Sequence, residues 1–346
     1  MVSSDMRGGP LAKRRAALLV AGFACFWMYA ARAERHPSRD RSQHGEGDVR
    51  IITLATSGGP IVRAKRASES TLLVVGGTLY MVDCGEGALR RLVEAGFVAS
   101  DVGKLFITHQ HMDHVLDLPS LIAYDWQFDD RRTIKVFGPS GLAATVAHAL
   151  EFLDVGEKLF SPQMPPHPAM KDIVDVTELG PMSSQPTQIY KDAKVRVLAV
   201  ENTHYSQLPP TGLPFVPRSY SYRFETTGRT VVFTGDTGPS AALTALAKGA
   251  DVLVSEVIQP EAMIDYLRRK TSGDPGTLAK VIDHMRHEHL TPDEVGKLAE
   301  AAGVKEVVMS HIVPGADDEV RNIPYLKGVK EHFAGPVYLA NDLDEF

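Results

Sequence analysis

Cysteine is nearly absent: 2 residues among 346 leave no room for a disulfide framework. Cys25 lies in an N-terminal segment that reads as removable, so Cys84 stands alone and the fold must rest on its own core. The body of the chain also lacks a long basic run, and the formal net charge is -6. A dedicated nucleic-acid binder would carry a basic footprint, so no stable nucleic-acid partner is expected, although a small or local nucleic-acid substrate stays open. Low-complexity tracts and short repeats are missing too. No apolar run reaches the ~20 residues that a membrane-spanning helix needs.

Lys13-Arg14-Arg15 precede the apolar run AALLVAGFACFWMYA, and Ala31-Arg32-Ala33 follows it. A positive start, a short apolar stretch and an A-x-A site describe a secretory signal peptide, 1–33, cut after Ala33. Retention as an anchor is the alternative, and Gly22-Phe23 before Cys25 makes a poor lipoprotein site. Export predicts a periplasmic or secreted protein with no transmembrane domain after cleavage. Residues 34–48, rich in charge, Ser and His, read as a flexible linker.

From residue 49 to 346 the chain is an ordinary globular α/β sequence, 44% hydrophobic and 23% charged over its whole length. Runs rich in Val, Ile, Leu, Tyr and Phe, bounded by Gly, Pro, Asp or Asn, predict strands at 49–55, 70–75, 78–83, 104–108 and 133–138. A second series falls at 194–200, 219–225, 230–235, 251–256, 306–311 and 336–341. Helical patterns lie between them. Two strand series with helices outside predict a four-layer αββα sandwich. Residues 156–190 are Pro- and Met-rich and weakly periodic, and read as an insertion or lid. Thr291-Pro292-Asp293-Glu294 is a capping box with Pro at the first helical position, and Gly303 is the matching end, which places His289 in a loop before a helix.

The stretch THQHMDH, residues 108–114, puts three histidines and an aspartate directly after the apolar run KLFI. If the strand stays extended past Thr108, His109 and His111 point to one side. Two imidazoles on one side suit one metal ion, and Asp113 and His114 could reach a second; zinc accepts both ligand types. The remaining ligands are expected at other strand ends: His204 in AVENTHYS, Asp236 in FTGDTG and His311 in VVMSH.

With VLDL after it, THQHMDH resembles the signature of the metallo-β-lactamase superfamily in its ribonuclease Z-like branch. TSGGPIVRAKRASESTLLV, VDCGEGALRRL, SYSYRFET, FTGDTG and HEHLTPDEVGKLAEAAGVKEVVMSH resemble that branch's other motifs in the same order, from about Ile51 to the C-terminus. The resemblance implies a metallo-β-lactamase fold with two Zn2+ ions (Mn2+ or Fe2+ as alternatives). It places His109, His111 and His204 on the first ion, Asp113, His114 and His311 on the second, and Asp236 between them. His289 matches a histidine that binds or protonates the leaving group, with His284 and His287 as nearby alternatives. Asp83 matches a carboxylate that supports the site from behind, although a strand-end Asp capping a loop would look the same.

Two divalent ions against two carboxylates and a bridging hydroxide leave a net positive centre, suited to a small anionic ester. Asp113 would orient the attacking oxygen and His289 protonate the departing one, giving a phosphodiester or related ester hydrolase. Lactone, β-lactam and aryl sulfate hydrolysis are alternatives handled by relatives. A non-hydrolytic metal-binding or diiron redox protein is the reading from another class. Transfer-RNA processing is not expected: 156–190 lacks the glycines and basic residues of the arm that grips RNA, LPPTGLPFVPR is inserted after His204, and the chain is expected to be exported. The family also allows a homodimer.

Overall fold

The structure, a computed structural model, describes residues 48–128, 133–270, 275–315 and 319–346. The expected signal peptide and all of the expected linker but Asp48 lie outside them. No helix among the described residues is long and apolar enough to cross a membrane.

The first sheet contains β1 (Val49–Ala55), β2 (Ser70–Val75), β3 (Thr78–Val82), β4 (Lys104–Phe106), β5 (Ile134–Pro139) and β6 (Val174–Leu179). The second contains β7 (Thr187–Lys191), β8 (Val195–Glu201), β9 (Tyr220–Thr226), β10 (Thr230–Phe233), β11 (Val252–Ile258), β12 (Glu306–Val313) and β13 (Val337–Leu339), while β14 (Asp344–Glu345) returns to pair with β1. Their orders are β14-β1-β2-β3-β4-β5-β6 and β13-β12-β11-β10-β9-β8-β7. Helices α1 (Ala88–Glu94), α2 (Met112–Val115), α3 (Leu118–Phe128) and α4 (Leu142–Phe160) accompany the first sheet. Helices α5 (Ala241–Ala247), α6 (Pro260–Lys270), α7 (Pro275–His287), α8 (Pro292–Ala302) and α9 (Glu319–Lys330) follow in the second half.

Three apolar layers hold this αββα sandwich together. Ile51, Leu73, Tyr80 and Phe106 of one sheet meet Val197, Tyr222, Phe224 and Val254 of the other. Leu72, Leu92, Leu121 and Trp126 fill the outer face of the first sheet, and Val232, Leu243, Val295 and Val307 that of the second. Leu72 and Val74 face outward while Leu73 and Val75 face the other sheet, so STLLVV reads as a continuous apolar run. A strand covered on both faces has no polar side to display. Phe106 stacks on Phe137 at 4.8 Å and meets Tyr222 and Phe224 edge-on at 5.8 and 5.1 Å. Such aromatic pairs add about 0.5–1.5 kcal/mol each beyond area burial. They fix the strand that leads into THQHMDH.

Two regions differ from expectation. Strand β4 ends at Phe106, two residues early: Ile107 N–H still reaches the Phe137 carbonyl of β5, but Thr108 leaves the ladder for other partners. Thr108 N–H donates to Asp83 Oδ1 (2.7 Å), and its carbonyl accepts Tyr220 N–H from the second sheet (3.0 Å). Residues 156–190, expected as an insertion or lid, hold the end of α4 and then β6 and β7, which pair with β5 and β8. The stretch is therefore the crossover that supplies one edge strand to each sheet. Edge strands face solvent on part of their surface, and several residues of both stay exposed. That left too few apolar residues for a strand pattern to show. The capping box at Thr291 and Glu294 forms as expected, with Gly303 ending α8 at φ 63.

Candidate metal centre

The first half of the centre is built on one turn. After Thr108 the chain runs through His109 and His111, and His111 is the extended residue that opens α2. His109 and His111 meet although the strand has already ended: His109 Nε2 lies 3.1 Å from His111 Nδ1. His204, in the turn after β8, closes the group with Nε2 also 3.1 Å from His111 Nδ1. Nitrogens held ~2.0–2.1 Å from one tetrahedral zinc ion would be about 3.3 Å apart. The observed spacing fits a common ion.

Hydrogen bonds behind the rings decide which nitrogen faces inward. His204 Nδ1–H donates to the Glu288 carbonyl (2.9 Å), which can only accept, so Nε2 keeps its lone pair. Asp83, at φ 58 just past β3, acts on two rings at once. Its Oδ2 accepts His114 Nδ1–H (2.8 Å) and the Thr108 hydroxyl (2.8 Å). The same hydroxyl oxygen accepts His109 Nδ1–H (3.1 Å). Both His109 and His114 therefore present Nε2 to the centre, the usual way an imidazole ligand is oriented from behind.

The second half gathers around carboxylates. Asp113 Oδ2 lies 3.2 Å from His311 Nε2 and 3.5 Å from His114 Nε2. Asp236 Oδ2 is central: 3.2 Å from His311 Nε2, 3.5 Å from His114 Nε2, 3.7 Å from His109 Nε2 and 4.0 Å from His204 Nε2. It thus reaches both histidine groups. Among the described residues, His114 Nε2, Asp236 Oδ1 and His311 Nδ1 are buried without a hydrogen-bond partner. Buried polar atoms are rarely left so, and His114 Nε2 faces the Asp113 and Asp236 carboxylates, where a cation would be held. The residues fit divalent metal ions.

Electrostatics separates the two groups. Burial, helped by the neighbouring imidazoles, pulls His109 and His204 well below the usual histidine range, and His111 down to about 4. These three are neutral donors. Burial also opposes charge on His114 and His311, but Asp236 and Asp113 outweigh it, lifting His114 far up and His311 to about 9. Without a cation these two rings are the counter-ions of the carboxylates, and a metal would displace their protons.

His289 lies between α7 and α8, as expected, and its Nδ1 pairs with Glu256 Oε2 at 2.8 Å. Burial, reinforced by Asp236, pushes the Glu256 carboxyl well up, and burial pulls His289 down to about 4. One proton is shared between them. His287 instead turns back on its own helix, to the Asp283 carbonyl at 2.9 Å. Glu256 was missed at sequence level because it closes the predicted strand DVLVSE, where an acidic end residue carries no signal. Glu69, also missed, accepts His311 N–H (2.9 Å) and the Ser310 hydroxyl (2.7 Å), and burial pushes it up to about 7. It anchors His311 at φ 42, a left-handed conformation that costs a side-chain-bearing residue about 1–2 kcal/mol. Gly59 N–H donates to Asp113 Oδ2 (2.7 Å), which brings the TSGGP loop onto the centre.

Comparison with known proteins adds the following. The family described as "Beta-lactamase superfamily domain" matches residues 78–312. The ribonuclease Z of Mycolicibacterium paratuberculosis is 31% identical over 301 residues, 84% of this chain and 96% of that protein. The crystal structure of the short form of human tRNase Z superposes with a TM-score of 0.60 at 19% identity, covering 86% of this chain and 98% of that one. Zn2+-bound PqqB from Methylobacterium extorquens gives 0.57 at 14% identity, covering 86% and 99%. At these identities the two structures bear on the fold alone.

Proposed function

The chain belongs to the metallo-β-lactamase superfamily, in its ribonuclease Z-like branch, and we propose that it is an exported binuclear zinc hydrolase of phosphodiesters or related anionic esters. The metallo-hydrolase fold and the divalent-metal chemistry come with the family. Two ions, zinc and a small ester are our reading. One observation carries it: Asp236 Oδ2 stands between a three-histidine group and an Asp113–His114–His311 group. The imidazole and carboxylate ligand set suits zinc, and the ribonuclease Z relative supports the phosphodiester bond.

Divalent ions held here would supply a nucleophile from water at neutral pH and polarise the ester oxygen. The chain's own residues do the rest. His109, His111 and His204 bind as neutral imidazoles, and Asp113 and Asp236 balance charge. His289, its Nδ1 held by Glu256, would donate Nε2–H to the departing oxygen, and the Glu256 proton would replace it at Nδ1.

The test is a substrate panel on the metal-loaded protein: bis-p-nitrophenyl phosphate, an aryl sulfate, a lactone and nitrocefin. We expect about two zinc ions per chain and turnover of the phosphodiester first. Full activity in the double variant His109→Ala, His111→Ala would sink the mechanism. A second reading, cleavage of precursor RNA, is favoured by the 31% identity to a ribonuclease Z. A precursor transfer RNA with a 3′ trailer belongs in the same panel. Its cleavage ahead of the small diester would replace our reading, as would finding the mature N-terminus uncut in the cytoplasm.

A further inference from the structure

We propose that His284 is a substrate-binding residue of this site, turning its Nε2 edge to an anionic oxygen of the ester while Glu288 holds the other side of the ring. The proposal rests on the reading above that the substrate is an anionic ester. His284 lies in the last turn of α7, one turn before Glu288. Its Nδ1 is hydrogen-bonded to Glu288 Oε2, and among the described residues no partner is recorded for Nε2. The ring centroid is 5.3 Å from His204, 5.2 Å from His289 and 6.2 Å from His111. A ring nitrogen lies within 4.8 Å of nitrogens of both His204 and His289. The side chain is 35% exposed, so the ring borders the centre yet remains open to an incoming ligand.

An exposed His and a Glu one turn apart are ordinarily a solvated helix pair worth a few tenths of a kcal/mol. Glu288 does not fit that description. Its side chain is only 3% exposed, its Oε1 accepts Gln207 N–H (2.7 Å), and its carbonyl orients His204. One residue thus ties His284 to a proposed metal ligand and to the loop that leaves it. With Nδ1 turned to that carboxylate, the far edge of the ring, Nε2, is the one left to face an incoming anion. His287, 53% exposed and bonded to Asp283 of its own helix, shows what an uninvolved histidine looks like here.

The test uses the full chain loaded with Co2+, whose visible spectrum reports an anion entering the centre, and inorganic phosphate as probe. We expect His284→Ala to raise the Kd for phosphate by about tenfold or more, as loss of a charge-assisted hydrogen bond does. Metal content and Tm should match the parent, and His287→Ala should bind phosphate normally. The KM for bis-p-nitrophenyl phosphate should rise with the phosphate Kd. His284→Gln, closer in size, reads out the same loss if the alanine variant fails to fold. A phosphate Kd within about twofold of the parent in both variants, or loss of metal in both, overturns the proposal. Weaker phosphate binding in a protein that hydrolyses nothing in the panel would leave His284 assigned and the hydrolase reading refuted.

Discussion

The two sheets contribute to the centre in opposite ways. The first delivers His109, His111, Asp113 and His114 from six consecutive residues on one turn after β4. The second delivers His204, Asp236 and His311 from three separate strands, β8, β10 and β12, spread over more than 100 residues. Support is divided just as unevenly. Asp83 alone orients His109 and His114 through two hydrogen bonds and a hydroxyl. On the other side, the Glu288 carbonyl orients His204, Glu256 holds His289, and Glu69 reaches across from the first half of the chain to anchor His311. A local cluster can be held by one neighbour, whereas a distributed one needs a separate support for each member.

This contrast can be broken most severely at Asp236, which reaches both groups. Asp236→Asn should lower kcat/KM for the hydrolysed diester by about 10³-fold or more and empty the centre, because it forfeits the several kcal/mol that bound metal supplies. Metal analysis beside the kinetics checks it; retained metal would show that the carboxylate is not shared. Next come the supports. Asp83→Asn and Glu69→Gln should each weaken metal affinity by about 10–100-fold, and Asp83→Asn should be the worse because it acts on two rings. Chelator competition ranks them, and the reverse order would erase the asymmetry.

A smaller effect is expected from the TSGGP loop. A Cβ at Gly59 would lie 2.6 Å from the Asp113 carboxylate, so Gly59→Ala must displace that group. A cost of about 1–3 kcal/mol in stability is expected from such crowding, with weaker metal binding on the Asp113 side. Urea unfolding of the metal-free protein measures the first part. Thr291→Ala should do least: about 1 kcal/mol, from losing the α8 cap, and about 2–4 °C in Tm. Unchanged metal content would show that this cap serves the fold and not the centre.

How much could be read from the residues follows the same division. Strands buried on both faces, such as STLLVV, were visible as apolar runs, whereas β6 and β7 were not, because edge strands leave several of their residues in water. THQHMDH marked a candidate metal group by spacing alone. His204, Asp236 and His311 were candidates only as strand ends, and the family resemblance, not their own pattern, joined them. Glu69, Glu256 and Glu288 gave no signal, since an isolated carboxylate in sequence says nothing about what it will face.

By itself, then, the sequence determined what depends on near neighbours: the capped start of α8, the two-sided strands, and four candidate ligands gathered on one turn. Backbone hydrogen bonds and side-chain periodicity act over a few residues, so these features travel with the segment. The tertiary structure decided which strand ends meet, and through Asp83 and the Glu288 carbonyl which nitrogen His109, His114 and His204 turn toward the centre. An imidazole's inward face is set by the acceptor at its back, and that acceptor is placed by sheet register and packing rather than by its position along the chain.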